Sequence, residues 1–280
     1  VASLVGSEMC IRDRLTKKKP PNFKKIQAMS LKELYEASPF GIISSLFYGT
    51  IQSALFTLLA VYATSMNFTI LEISIVTFLL AVSGAVAQFP VGKVSDIYDR
   101  RKVIVFSTFG AAIFAIVAIF VSRQMYLPGG LATSKTWFYI FFILFSFCSL
   151  PMFSLILAHT NDFISKDKFV AAGAGLQFAF GLGAMSGPFL CSIFMDLTGP
   201  NGFFVFLFIF HTFIGLFGIY RMKVRKSVDN PDSQFVAMPQ TITPAGIELN
   251  PTTEHIEEPY SEKVIEILER KGVKYKKEVD

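Results

Sequence analysis

Six long stretches of the chain carry no Lys or Arg in their interiors: about Pro39–Ser65, Ile70–Val91, Val103–Ser122, Thr136–Ala158, Phe169–Met195 and Gly202–Tyr220. Each is long enough to cross a bilayer, which takes about 20 mainly apolar residues in a helix. The one acid within these bounds, Glu72, lies near a helix end, and Pro39 suits a first helical position. A soluble core helix of this length would show a polar face, and none of the six does. Lipid offers no partner to a backbone N–H or C=O, so spanning segments are helices or closed barrel strands. Their length and lack of alternation exclude a barrel. The expected fold class is an all-α polytopic membrane protein with six transmembrane helices.

Composition agrees. Of 280 residues, 17% are charged, where soluble chains have about 25%. Phe supplies 31 residues and Trp one. This argues against a disordered chain, a fibre, a disulfide scaffold or a water-soluble enzyme domain. Cys148 and Cys191 fall inside apolar stretches at a spacing that suggests neither metal nor disulfide, so they read as small buried hydrophobes.

The net charge of +5 matters less than where the cations sit. Lys17, Lys18, Lys19, Lys24, Lys25 and Lys32 precede the first span; Lys93, Arg100, Arg101 and Lys102 follow the second; Lys166 and Lys168 follow the fourth; Arg221, Lys223, Arg225 and Lys226 follow the sixth. The loops after the first and fifth spans have none, and the loop after the third has only Arg123 and Lys135. The positive-inside rule then places both termini in the cytoplasm.

Four regions follow. Residues 1–14 begin with Val and resemble translated sequencing-adapter read-through, so they, with Cys10, are set aside as an artefact, and the natural protein is expected to extend upstream. Residues 15–38 form a basic cytoplasmic linker, where Ser30 and Glu33 read as a capping box opening a short interfacial helix. Residues 39–222 form the six-helix transmembrane unit. Residues 223–280 form a polar cytoplasmic tail, irregular in its Pro-rich middle, with a last short helix from Ser261 to Gly272.

The loop after the second span reads Pro90-Val-Gly92-Lys-Val-Ser-Asp96-Ile-Tyr-Asp99-Arg100-Arg101-Lys102. It resembles the G-x-x-x-D-[RK]-x-G-R-[RK] signature of the major facilitator superfamily through Gly92, Asp96, Arg100 and Arg101. Ile97 stands where a basic residue is usual, and Asp99 where Gly is usual. A second segment in the fifth span, Gly183-Ala-Met-Ser-Gly187-Pro188, resembles the family's G-x-x-x-G-P motif. The resemblance covers about residues 15–222. It implies one six-helix half of a two-half transporter, read here as the second half, with the N-terminal half missing; the alternative, a truncated first half, would need the tail to be the linker between halves. It also implies that Arg100 pairs with an acid at the cytoplasmic end of the fourth span, where Asp162 stands, and that Asp96 faces the other half and lacks its main interaction here. A partly exposed Arg100–Asp162 pair would be worth about 0–1 kcal/mol. Gly183 and Gly187 would let helices approach closely, with Pro188 bending the fifth.

In this family the first and fourth spans line the central cavity. Ser45, Tyr48 and Gln52 share one face of the first span, and Ser146 and Ser149 one face of the fourth. Substrate contact and plain interhelical hydrogen bonding both fit these residues. Tyr48 and Gln52 are expected to face the missing half and so to lie exposed in this chain alone. Gln177 reads as packing glue, and Phe141, Phe142, Phe145 and Phe147 as packing and lipid contact. No carboxylate sits mid-membrane, so a proton-coupling group would be His211, His159 or a residue of the missing half, unless transport is uncoupled.

The expected function is secondary transport of a small solute by alternating access, without enzymatic chemistry, cofactor, metal or nucleic acid. Expected partners are the lipid bilayer, the solute and the missing half, in a bacterial inner membrane. The rival is a non-transporting membrane sensor or scaffold acting through its tail.

Overall fold

Apart from short turns, the described residues are helical. The computed structural model of the protein describes residues 29–124, 131–165 and 168–225. The read-through segment, most of the basic linker and the tail with its Ser261–Gly272 helix lie outside them.

Helix α1, Leu31–Ala37, opens on Ser30, whose hydroxyl accepts from the Glu33 N–H at 3.1 Å. Only that half of the expected capping box forms, because the Glu33 carboxylate pairs with Lys168 at 2.7 Å. Helix α2, Pro39–Ser65, starts with Pro39 in its first turn and Ser38 as its cap. Asn67, in the left-handed region at φ 57°, turns the chain into α3, Ile70–Ile97. A full capping box of Thr69 and Glu72 starts α3. Helices α4, Arg100–Gln124, α7, Phe169–Thr198, and α8, Gly202–Val224, are continuous.

Two boundaries differ from expectation. Helix α3 runs through Pro90 to Ile97, so Gly92 and Asp96 sit on its last turns and not in a loop. The fourth span is broken into α5, Leu131–Ser149, and α6, Met152–Asn161. Pro151 has no N–H for the Phe147 carbonyl four residues back, and the break between α5 and α6 also leaves the Ser149 and Leu150 carbonyls without helical partners, which lipid would punish. The Tyr48 hydroxyl covers them, lying 3.1 Å from the Ser149 carbonyl oxygen and 3.2 Å from that of Leu150.

Counting α5 and α6 as one, six helices among the described residues are long and apolar enough to cross a membrane. The closest packing is α2 against α7; α4 packs on α8 and α5, α3 on α5, and α2 on α8. Exchanging spans one to three for spans four to six maps these pairings onto themselves, the signature of two inverted three-helix repeats. Helices α3 and α7 are the least buried spans and present rows such as Phe78, Val86 and Phe89, and Phe178, Met185 and Phe189, outward. The core is aromatic: Tyr62 stacks on Phe138 and Phe203, and Phe204 meets Tyr62, Phe142 and Phe145 edge-on. Phe142 and Phe145 thus belong to the core and not to the lipid face.

Candidate functional site

At the pole of the bundle that carries the Lys/Arg-rich loops, α3 ends, α4 begins and α6 ends within reach of one side chain. Arg100, the first residue of α4, donates from Nη2 to Asp96 Oδ1 at 3.0 Å, one turn back across the junction. Its Nη1 donates to Asp162 Oδ1 at 2.5 Å and to the Ala158 carbonyl at 3.0 Å. The Arg100 and Asp162 side chains are only 2% and 8% exposed, so the pair is buried and not partly solvated as expected. Asp96 is 38% exposed and engaged by Arg100 within this chain, a contact additional to the one with the other half that the resemblance implies.

Beside this, Asp99 explains its own departure from the usual Gly. Its Oδ1 accepts the Arg101 backbone N–H at 3.0 Å and so caps α4, and its carboxylate holds the Arg101 guanidinium at 3.1 and 2.8 Å. Burial pushes the Asp99 carboxyl up, but these bonds outweigh it and hold its pKa below the ordinary carboxylate range. Arg101 also donates to the Arg225 carbonyl at 2.6 Å, tying the start of α4 to the end of α8.

The second motif lies on the α2–α7 seam. A Cβ on Gly183 would overlap the Leu46 carbonyl, and one on Gly187 the Thr50 carbonyl and the Ser53 hydroxyl. From the other side, a Cβ on Gly49 would strike the Phe180 carbonyl. These glycines let the two backbones touch. Helix α7 passes through Pro188 without interruption.

The cavity candidates are placed differently from expectation. Tyr48 is fully buried and Gln52 is 2% exposed, so neither lies on an open face. Ser45 donates to the Leu176 carbonyl of α7 at 2.8 Å, and Ser146 to the Phe142 carbonyl of its own helix at 2.7 Å. Ser149 meets His211 Nε2 at 2.9 Å, while His211 Nδ1 lies 2.8 Å from the Leu207 carbonyl. Gln52 stands apart: neither atom of its buried amide has a hydrogen-bond partner among the described residues. The buried Gln177 side-chain oxygen likewise has none, so it makes no interhelical bond there.

Residues 41–264 match the sequence profile of the Major Facilitator Superfamily, over most of the chain. The chain belongs to this superfamily. It is therefore an integral, multi-pass membrane protein. An uncharacterised MFS-type transporter of Yersinia enterocolitica is 23% identical over 198 residues, 71% of this chain and 47% of that protein. One from Bacillus subtilis is 26% identical over 186 residues, 64% of this chain and 44% of that one. One from Methanocaldococcus jannaschii is 27% identical over 180 residues, 63% and 42% of the two chains. The chain thus spans less than half the length of these superfamily relatives.

Two functional-looking contacts of this superfamily member were missed in the sequence. The Tyr48 cap had a signal, Pro151 in the middle of an apolar span. The Asp99–Arg101 grip had another, an acid directly before a helix start.

Proposed function

We propose that the protein is a secondary transporter of a small solute, to which this chain contributes one six-helix half that rocks against another. The observation that carries the reading is the buried Arg100, held at once by Asp96 of α3 and by Asp162 at the end of α6. An ion pair that links three spans at one pole, in a segment matching the superfamily signature, suits a latch between two arrangements of the helices. Such a latch biases which side is open in proportion to its strength in one arrangement over the other. The pole carrying it would be cytoplasmic, with both termini, because it holds the Lys/Arg-rich loops. A bacterial inner membrane is the proposed location.

Within the half, Gln52 is the proposed solute contact. A buried amide without partners is costly, and a passing polar solute would satisfy it. The hydroxyls of Ser45, Tyr48, Ser146 and Ser149 serve the fold in the arrangement seen.

The test is flux. Full-length protein in vesicles without ATP should move a small polar solute saturably, and should still do so after deletion of residues 226–280. Absence of saturable flux, together with tail-dependent capture of a partner, would favour the sensor reading.

A further inference from the structure

Next to the latch, the ends of α2, α6 and α8 leave a small cleft whose lining the transport reading does not use. His159 lines it between Phe40 and Phe163, edge-on to both at centroid distances of 5.2 and 5.0 Å. Arg101, Arg221 and Arg225 line the rest, with Ser38 and Pro39 at the start of α2.

The charges here do not balance. Arg101 is answered by Asp99. Arg225 lies over the Phe163 ring at 4.2 Å and donates to the Ala37 carbonyl at 2.7 Å, neither of which cancels its charge. The Arg221 side chain has no hydrogen-bond or ion-pair partner among the described residues. Three guanidiniums therefore share one paired carboxylate. His159 is 4% exposed, and its ring nitrogens have no hydrogen-bond partner among the described residues. A largely buried imidazole that lines the cleft, makes no hydrogen bond to the described residues and stands beside a cluster of excess cations suits an acceptor with negative charge. The first turn of α2 adds its amide dipoles in the same sense.

We propose that this cleft binds an anionic phosphate group, supplied by a phospholipid headgroup or by free phosphate. The room in the cleft is about 10 Å³, enough for one oxygen. One phosphate oxygen enters to accept the His159 N–H, and the other oxygens stay at the mouth on Arg221 and Arg225. The cleft sits at headgroup level: Tyr220 and Val224, flanking Arg221 on α8, expose apolar surface as a lipid-facing last turn does. The site also touches the latch, since His159 follows Ala158, whose carbonyl holds Arg100, and Arg101 adjoins Arg100.

The test uses purified full-length protein in detergent. Native mass spectrometry compares retention of phosphatidylglycerol with phosphatidylcholine, and thermal unfolding is followed with added inorganic phosphate. Arg221→Gln removes a guanidinium without partners among the described residues, and His159→Phe keeps the ring contacts but not the N–H. Each should weaken phosphate-dependent protection or phosphatidylglycerol retention about tenfold, as loss of one charge-assisted hydrogen bond does. Phosphatidylglycerol retained against added phosphate identifies the lipid as the source; phosphate protection without lipid retention identifies the free ion. Equal retention of the two lipids with no phosphate protection overturns the proposal. So does unchanged binding in Arg221→Gln, which decides alone if His159→Phe does not fold.

Discussion

Arg100 and Asp162 meet at 2.5 Å where α4 begins and α6 ends, sixty-two residues apart in the chain and both buried. A buried pair behaves differently from a surface one. Its net worth against an apolar replacement is small, but removing one partner strands a charge and costs about 3–5 kcal/mol. Asp162→Asn and Arg100→Ala should therefore each lower the unfolding temperature of the full-length protein clearly, and the double variant should lose less than the sum. Additive losses in thermal unfolding would mean that the two residues do not act as a pair.

The α2–α7 seam predicts a contrast between neighbouring glycines. Gly183→Val and Gly187→Val place atoms where backbone carbonyls and the Ser53 hydroxyl already sit, whereas a Cβ at Gly181 meets nothing within 4 Å. The first two should sharply reduce the yield of folded protein on size-exclusion chromatography. Gly181→Ala should leave it at the wild-type level, within about 1 kcal/mol in stability, because it also gains helix propensity.

Tyr48→Phe removes the hydroxyl that covers the Ser149 and Leu150 carbonyls at the break in the fourth span. Polar contacts between membrane helices are worth about 0.6 kcal/mol on average and up to about 1.7. The variant should lose about 1 kcal/mol by unfolding in mixed micelles, with insertion intact. A loss no larger than that of an exposed substitution such as Phe106→Leu would show that the carbonyls find another partner.

How much of this was legible beforehand differs by kind of information. The spans were readable because apolar length and the absence of charge need no tertiary context, and Pro39 marked the first helix start. The Arg100–Asp162 contact followed from the motif and from both residues lying at the same pole. Its burial did not, since nothing local says that α6 closes over Arg100. The orientation of Tyr48 and Gln52 was misjudged for a physical reason. Spacing shows that they share a face, but a helix apolar all round carries no signal of which face meets lipid and which meets protein. The break at Pro151 was overridden by the hydropathy of its surroundings, although the proline itself was in view.

Asp99 gives a dependence on acidity. Its pKa is held below the ordinary value of about 4 by Arg101, so it stabilises the fold above that value and loses this as pH falls through its lowered folded value. The unfolding temperatures of wild type and Asp99→Asn should differ at neutral pH and converge below about pH 4. Curves that stay parallel down to pH 3 would contradict the assignment.

The central claim is that the Arg100 latch serves movement of a solute through a two-half transporter. The most direct measurement is the initial rate of saturable, ATP-independent solute flux in vesicles containing full-length wild type, Arg100→Ala or Asp162→Asn, at matched amounts of folded protein. The account predicts flux in the wild type and a drop of about tenfold or more in both variants, the effect of shifting a two-state balance by about 1.4 kcal/mol or more. Wild-type rates in both variants would contradict it.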